Sequence, residues 1–210
     1  MTPSFAGLRL LTMLTTLLAA SCAALPALAA QPPRASLQYR DAVIRNGRAV
    51  WGLDAPIAVF AGQLHQESAW RADAVSAVGA QGIAQFMPDT SAWIAGLYPT
   101  LAANAPFNPS WAIRALVQYD LWLHARISAA DDCQRMAMTL SAYNGGLGWI
   151  QRDQRLAAGR GLDRAVWFDQ VETVNAGRSA ANWRENRAYP RRILYVHQAR
   201  YLAWGSGVCL

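Results

Sequence analysis

The sequence contains no lysine. All 19 basic residues are arginine, against 13 acidic residues, for a formal net charge of +6. Charged residues are also few, at 15% of the chain against 53% hydrophobic, which excludes a disordered, self-repelling polymer. The arginines are scattered rather than gathered into a run. No zinc-finger spacing or aromatic-basic RNA motif accompanies them, so nucleic acid is not an expected partner. The surplus positive charge still favours something anionic, such as a membrane surface or an anionic cell-wall polymer. Cysteine and histidine are scarce, with three residues of each. No metal-ligand cluster is legible, and neither a metal nor another cofactor is expected.

Long apolar runs are lacking too. The N-terminal run Leu8–Leu18 (LRLLTMLTTLL) is too short to span a membrane comfortably. Arg9 is the only charge before Arg34, and Ala27-Leu28-Ala29 offers small residues where a signal peptidase reads. Residues 1–30 therefore read as an export signal, and residues 31–210 as one domain with no membrane span. Cys22, after Ala19-Ala20-Ser21, offers a second route by lipid acylation. Ala19 stands where a lipoprotein signal usually carries Leu, so cleavage at the alanine-rich site ranks first. The expected location is the periplasm or cell envelope. Cys133 and Cys209 then remain, as a bridge or as two buried thiols. The bridge is expected, because Cys209 lies in a tail that otherwise frays. It would close a loop of about 75 residues, worth ~4 kcal/mol in the chain-entropy model.

Apolar residues recur at helical spacing, with no sustained strand alternation and no internal repeat. Ile57, Val59, Phe60 and Leu64 belong to one helix, with Asp54 as its expected cap before Pro56. Further helices are expected from Pro88 to Leu97, after Asn108, after Asp131 to Asn144-Gly145-Gly146, over Trp149 to Leu156, over Ala165 to Val174, and from Arg191 to Leu202. Trp70 to Gly82 reads as an ordered loop with a short hairpin. The fold class is all-α, or α+β at most with that minor hairpin.

The stretch Gln63–Pro88 (QLHQESAWRADAVSAVGAQGIAQFMP) stands out. Its apolar helix delivers a carboxylate, Glu67, at the C-terminal end. Burying an ionised carboxylate is costly, so partial burial raises its pKa and keeps it protonated, as a general acid requires. The alternative is a solvated helix-terminal glutamate. His65 beside it reads as a satisfied surface or core group, and Asp73 as a loop cap.

Four stretches in register carry a resemblance over roughly Ile57 to Leu194. Glu67-Ser68, Ser76 and Gly79-Ala80-Gln81-Gly82-Ile83-Ala84-Gln85-Phe86-Met87-Pro88 resemble the first motifs of the soluble lytic transglycosylases. Phe107-Asn108-Pro109 to Leu123 is similar to that family's next helix. Ser141-Ala142-Tyr143-Asn144-Gly145-Gly146 resembles its Ala-Tyr-Asn-Ala-Gly motif, and Glu185-Asn186-Arg187-Ala188-Tyr189 its Glu-Thr-Arg-x-Tyr motif. The resemblance implies a lysozyme-like helical domain that cleaves the β-1,4 bond between N-acetylmuramic acid and N-acetylglucosamine in peptidoglycan glycan strands and leaves 1,6-anhydromuramic ends. It implies Glu67 as catalytic acid/base, with Ser68 setting up its helix end and Ser76, Gln85, Met87, Tyr143, Asn144 and Glu185 lining the sugar groove. Each has a plainer reading: Ser68 and Ser76 as caps or turns, Gln85, Met87 and Tyr143 as packing, Asn144 as a helix stop, and Glu185 as an ion-pair partner of Arg187 or Arg191. Small members of the family often serve secretion, conjugation or phage-entry machines, which the resemblance adds as a partner class. The alternatives are a hydrolytic lysozyme, with Asp73 or Glu185 activating water, and a non-catalytic peptidoglycan-binding assembly protein. Departures from the family are also visible. Ala84 replaces Met and would trim the groove wall, and Gly145 replaces Ala. Pro190 replaces Val and would bias Tyr189 out of a helix.

Overall fold

The computed structural model describes Met1 and residues 31–210. The export-signal reading of residues 1–30, Cys22 included, lies outside the described residues. Among the described residues eight α-helices follow in order: α1 (Arg34–Leu37), α2 (Arg40–Trp51), α3 (Ile57–Ser68), α4 (Pro88–Leu97), α5 (Pro109–His124), α6 (Asp132–Gly145), α7 (Leu147–Gly159) and α8 (Ala180–Arg192). Two isolated antiparallel bridges, Val75 to Gln81 and Gln81 to Phe86, are the minor hairpin element. The fold is all-α, as expected, and among the described residues no helix is long and apolar enough to cross a membrane.

The domain is built around α3, whose residues Ile57 to Leu64 are all buried. It packs against α2, α5 and the C-terminal segment. One core cluster joins α3 and α5 to the following loops through Phe60, Leu64, Trp70, Phe86, Trp111 and Tyr201. A second joins α6, α7 and α8 through Met136, Leu140, Ile150, Trp167 and Ile193. Tyr119 of α5 and Tyr143 of α6 pack against both. Each fully buried large side chain is worth ~1.5–3 kcal/mol, so the two clusters dominate stability.

Caps set several boundaries. Asn108 Oδ1 accepts from the backbone N–H groups of Ser110 and Trp111 at 3.0 and 3.3 Å, and Asp131 Oδ1 accepts from Gln134 N–H at 2.8 Å. Asp54 does not cap α3. It is exposed, and α3 starts at Ile57 with no side-chain cap bond. The tail supplies a partner instead: Ala58 N–H donates to the Ser206 carbonyl at 2.9 Å.

Two expected helices differ. Ala165–Val174 forms turns and a short 3₁₀ turn, Val171–Thr173. The backbone N–H groups of Trp167 and Phe168 donate to Gln134 Oε1 of α6, at 2.9 and 3.2 Å, so they are not free for a helix. Further on, α8 runs through Pro190 rather than stopping before it, and continues into a π-type turn, Ile193–His197. Proline inside a helix costs ~3 kcal/mol. Burial of Tyr189, Ile193 and Leu194 offsets this, at ~1.5–3 kcal/mol each. Tyr189 therefore stays helical.

The tail is fixed at both ends of its course. Gln198 Nε2 donates to the Val208 carbonyl, and Val208 N–H donates back to Gln198 Oε1, at 2.7 and 3.2 Å. Cys209 then bridges to Cys133 at the start of α6. The expected disulfide is present.

Candidate active site

Glu67 sits in the last turn of α3, and the chain turns sharply after it. Ala69 and Trp70 both adopt positive φ, 51° and 71°. Left-handed backbone is unfavourable for side chains with a Cβ and persists only where packing enforces it. The enforcer here is Trp70. Its ring is buried against Tyr39, Tyr201 and Trp204, and its Nε1–H donates to the Tyr201 hydroxyl at 2.7 Å. The tryptophan thus pins the end of the helix that carries the glutamate.

Ser68 is buried, and its hydroxyl donates to the Ile83 carbonyl at 2.9 Å. It ties the helix end to the next loop and is not on the cleft wall, so it acts on the helix end and does not itself meet a bound sugar. That loop crosses close to another segment at Gly82, where φ is +72° and a Cβ would lie 1.9 Å from the Pro106 carbonyl oxygen. Only glycine fits there.

Glu67 opens into a cleft of about 370 Å³ whose walls include Ser76, Gln85, Met87, Tyr143, Asn144 and Glu185. The six residues expected to line the groove therefore converge on Glu67. Ser76 Oγ accepts from Ala80 N–H at 2.9 Å and shapes the loop at the cleft wall. Gln85 has φ of 50°, and its amide donates to the carbonyls of Gly82 and Ala74 at 2.9 and 3.2 Å, while its oxygen has no protein partner among the described residues. Met87 is 41% exposed at the rim. Phe86, Tyr119 and Tyr143 form an aromatic floor, with ring centroids 5.4–6.3 Å apart. Ala84 is fully buried, so its small side chain trims the core rather than the groove wall.

The group bonded to Glu67 is Tyr189 of α8, whose hydroxyl donates to Glu67 Oε1. Tyr143, on the same cleft wall, donates its hydroxyl to the Ala84 carbonyl at 2.8 Å. Sequence reasoning passed over Tyr189 because Pro190 argued against a helix there. Burial pushes the Glu67 carboxyl up to about 8; the Tyr189 hydrogen bond opposes this, and the nearby Glu185 carboxylate adds to it. Glu67 is thus mostly protonated at neutral pH. One turn earlier on α3, Gln63 donates to Asp120 of α5 at 3.4 Å. Asp120 is fully buried, and its carboxyl is held well above the usual range by desolvation.

Asn144 is exposed at the end of α6, and its Oδ1 accepts from Asn186 Nδ2 at 3.0 Å. That bond leaves the Asn144 amide N–H groups for the cleft. Asn186 is itself locked by Ser141, which supplies a hydroxyl donor and a carbonyl acceptor at 2.7 and 2.8 Å. A Cβ on Gly145 would come within 2.8 Å of Asn186 Nδ2. Glycine at 145 and asparagine at 186, where the resembled family has alanine and threonine, therefore meet at one contact.

Glu185 pairs with neither expected arginine. Arg187 bonds the buried Asp153 at 2.8 Å, together with Arg178 at 2.5 Å. Arg191 bonds Glu172 at 2.5 Å. Glu185 stays exposed at the cleft with no ion-pair partner among the described residues. Asp73 is exposed and not on the cleft wall. Among the described residues no cluster of His, Cys, Asp and Glu that could hold a metal is present.

Comparison with known proteins follows the same region. The model of the transglycosylase SLT domain matches residues 55–165. Relatives named membrane-bound lytic murein transglycosylase F come from three organisms. The Marinobacter nauticus protein is 28% identical over 141 residues, 67% of this chain and 25% of its own length. The Maricaulis maris protein is 30% identical over 117 residues, 55% of this chain and 24% of its own. The Hahella chejuensis protein is 31% identical over 111 residues, 52% of this chain and 20% of its own. The chain spans a quarter or less of the length of these relatives. The family match ends before α8 and does not cover Glu185 or Tyr189.

Proposed function

Because this chain belongs to the transglycosylase SLT domain family, we propose that it cleaves the β-1,4 bond between N-acetylmuramic acid and N-acetylglucosamine in peptidoglycan, as a lytic transglycosylase. The observation that carries the reading is Glu67: a carboxyl at the wall of a cleft, pushed up to about 8 by burial and held by the Tyr189 hydroxyl. A protonated Glu67 donates its proton to the glycosidic oxygen as the bond to the anomeric carbon breaks. The resulting carboxylate then takes the proton of the substrate's own C6 hydroxyl, and that oxygen closes on the anomeric carbon. The product is a 1,6-anhydromuramic end. Because the nucleophile belongs to the substrate, proximity replaces the second carboxylate that hydrolytic glycosidases use.

The remaining residues fit supporting roles. The free amide N–H groups of Asn144 and the oxygen of Gln85 suit N-acetyl groups, Met87 offers an adaptable apolar contact, and Ser76 and Tyr143 shape the wall. Residues 1–30 act as an export signal, which puts the enzyme in the periplasm or envelope, and local opening of the wall for a secretion, conjugation or phage-related machine is the corresponding role. A pull-down from envelope extracts that recovers no component of such a machine counts against that last step alone.

A hydrolytic reading has one observation in its favour. Glu185 faces the same cleft, exposed and with no ion-pair partner among the described residues, and is placed to activate a water. Mass spectrometry of peptidoglycan digested with the protein and with Glu67→Gln separates the two. Anhydromuropeptides from the unsubstituted protein only are expected. Reducing ends would assign hydrolysis, and no product from either would leave a binding role.

A further inference from the structure

The cleft does not end at the residues around Glu67. Thr90 and Tyr119 on its wall also border a second, shallower hollow of about 350 Å³, completed by Asp89, Trp93, Trp122 and Leu147. Three aromatic rings line it. Trp93 meets Trp122 edge-on at 4.9 Å and Tyr119 at 5.8 Å, and Tyr119 lies 6.2 Å from Trp122. The Arg126 guanidinium stacks 3.8 Å from the Trp122 ring centre and fixes that ring in place. Trp93 is 41% exposed. Trp51, Trp70, Trp111 and Trp183 all donate their indole N–H to protein acceptors. Among the described residues Trp93 and Trp122 have no such partner, and neither do Trp149, Trp167 and Trp204. Trp122 is half-buried, and core packing does not explain the exposed surface of Trp93 beside it.

A pyranose has an apolar C–H face and a rim of hydroxyl and amide groups. Flat indole surface complements the face, while indole N–H groups, the Thr90 hydroxyl and the Asp89 carboxylate complement the rim. The hollow has no basic lining residue and one acidic one, which favours an uncharged sugar over a carboxylate-bearing peptide. Its shared wall with the cleft puts it on the path of the same strand.

We propose that the Trp93–Trp122 hollow is a remote subsite that holds a further sugar of the glycan strand bound at Glu67, so that the protein favours strands extending well beyond the cleaved bond. This inference rests on the glycan-cleaving reading above.

The test is calorimetric titration of Glu67→Gln protein with peptide-free glycan strands of two and of four disaccharide units. The longer strand is expected to bind about tenfold tighter. Adding Trp93→Ala removes that advantage, and Trp93→Phe retains part of it. In the cleaving enzyme, Trp93→Ala raises KM for long strands more than it lowers kcat. The subsite is overturned if the length advantage is missing, if it survives Trp93→Ala, or if Trp93→Ala weakens both strands equally. Digestion by the unsubstituted protein, run alongside, separates the two levels. Cleavage without a Trp93-dependent length advantage removes the subsite alone. Neither cleavage nor strand binding removes the glycan reading and the subsite with it.

Discussion

Glu67 meets two opposing demands. The proposed acid role needs the carboxyl protonated, and the burial that achieves this destabilises its ionised form in the folded protein. Its folded pKa, about 8, lies above the ordinary value of 4.5. The stabilisation it gives is therefore complete below about pH 4 and is lost progressively as pH rises toward 8. Two outcomes follow for this residue. The cleavage rate should hold through neutral pH and fall about tenfold per unit above pH 8, as measured by kcat/KM across a pH series. Glu67→Gln should be inactive yet more stable than its parent at pH 7, by on the order of 3 kcal/mol in denaturant melts, with the gain vanishing near pH 4. Tyr189 sharpens the first expectation. Its hydrogen bond favours the ionised carboxylate, so Tyr189→Phe should move the alkaline limb to higher pH while lowering kcat. A change in kcat without a shift of the limb would mean that Tyr189 acts only by packing.

At the scale of elements, the site is a junction of two helix ends, the interior of a third helix and one loop. α3 delivers Glu67, α6 delivers Tyr143 and Asn144, and α8 delivers Glu185 and Tyr189. The joint between α6 and α8 is Asn186, wedged against Gly145. Gly145→Ala adds a Cβ 2.8 Å from the Asn186 amide. It should displace Asn186, release Asn144, and cost about 1–3 kcal/mol of stability along with much of the activity. Asn186→Thr in the same chain makes room, so the double variant should recover stability over Gly145→Ala in thermal melts. Independent, additive losses would show that the two positions are not coupled. Pro190 belongs at this scale too. Local propensity alone argues for a break before it, yet three buried neighbours outweigh its cost and carry Tyr189 into the site.

At the scale of the whole molecule, the C-terminal tail closes the structure over its central helix. It bonds the start of α3 at Ala58 and is itself held by Gln198 and by the Cys133–Cys209 bridge. The bridge spans a sequence separation of 76. Replacing both cysteines by serine should cost about 4 kcal/mol and lower the melting temperature by about 8–16 °C. Strong reductant should do the same to the unsubstituted protein and leave the double variant unmoved. Because the tail packs against the helix that carries Glu67, activity should fall at temperatures well below the parent's melting point.

Much of this protein was legible in its residues. Helical periodicity fixed the all-α class, because a buried helix face must repeat apolar groups every three or four positions. The Asn108 and Asp131 caps were readable because a side chain that pairs helix N–H groups lies within three residues of them. The residues around Glu67 were legible through a resemblance rather than through chemistry alone, and most of them meet in one cleft. What the chain could not announce depends on neighbours distant in sequence. Ser68 and Ala84 turn inward because loops and helices close over them. Ala165–Val174 gives up its helix because Gln134 takes its donors. Tyr189 reaches Glu67 across 122 positions. The raised pKa of Glu67 is tertiary as well, since desolvation exists only once other elements have excluded water.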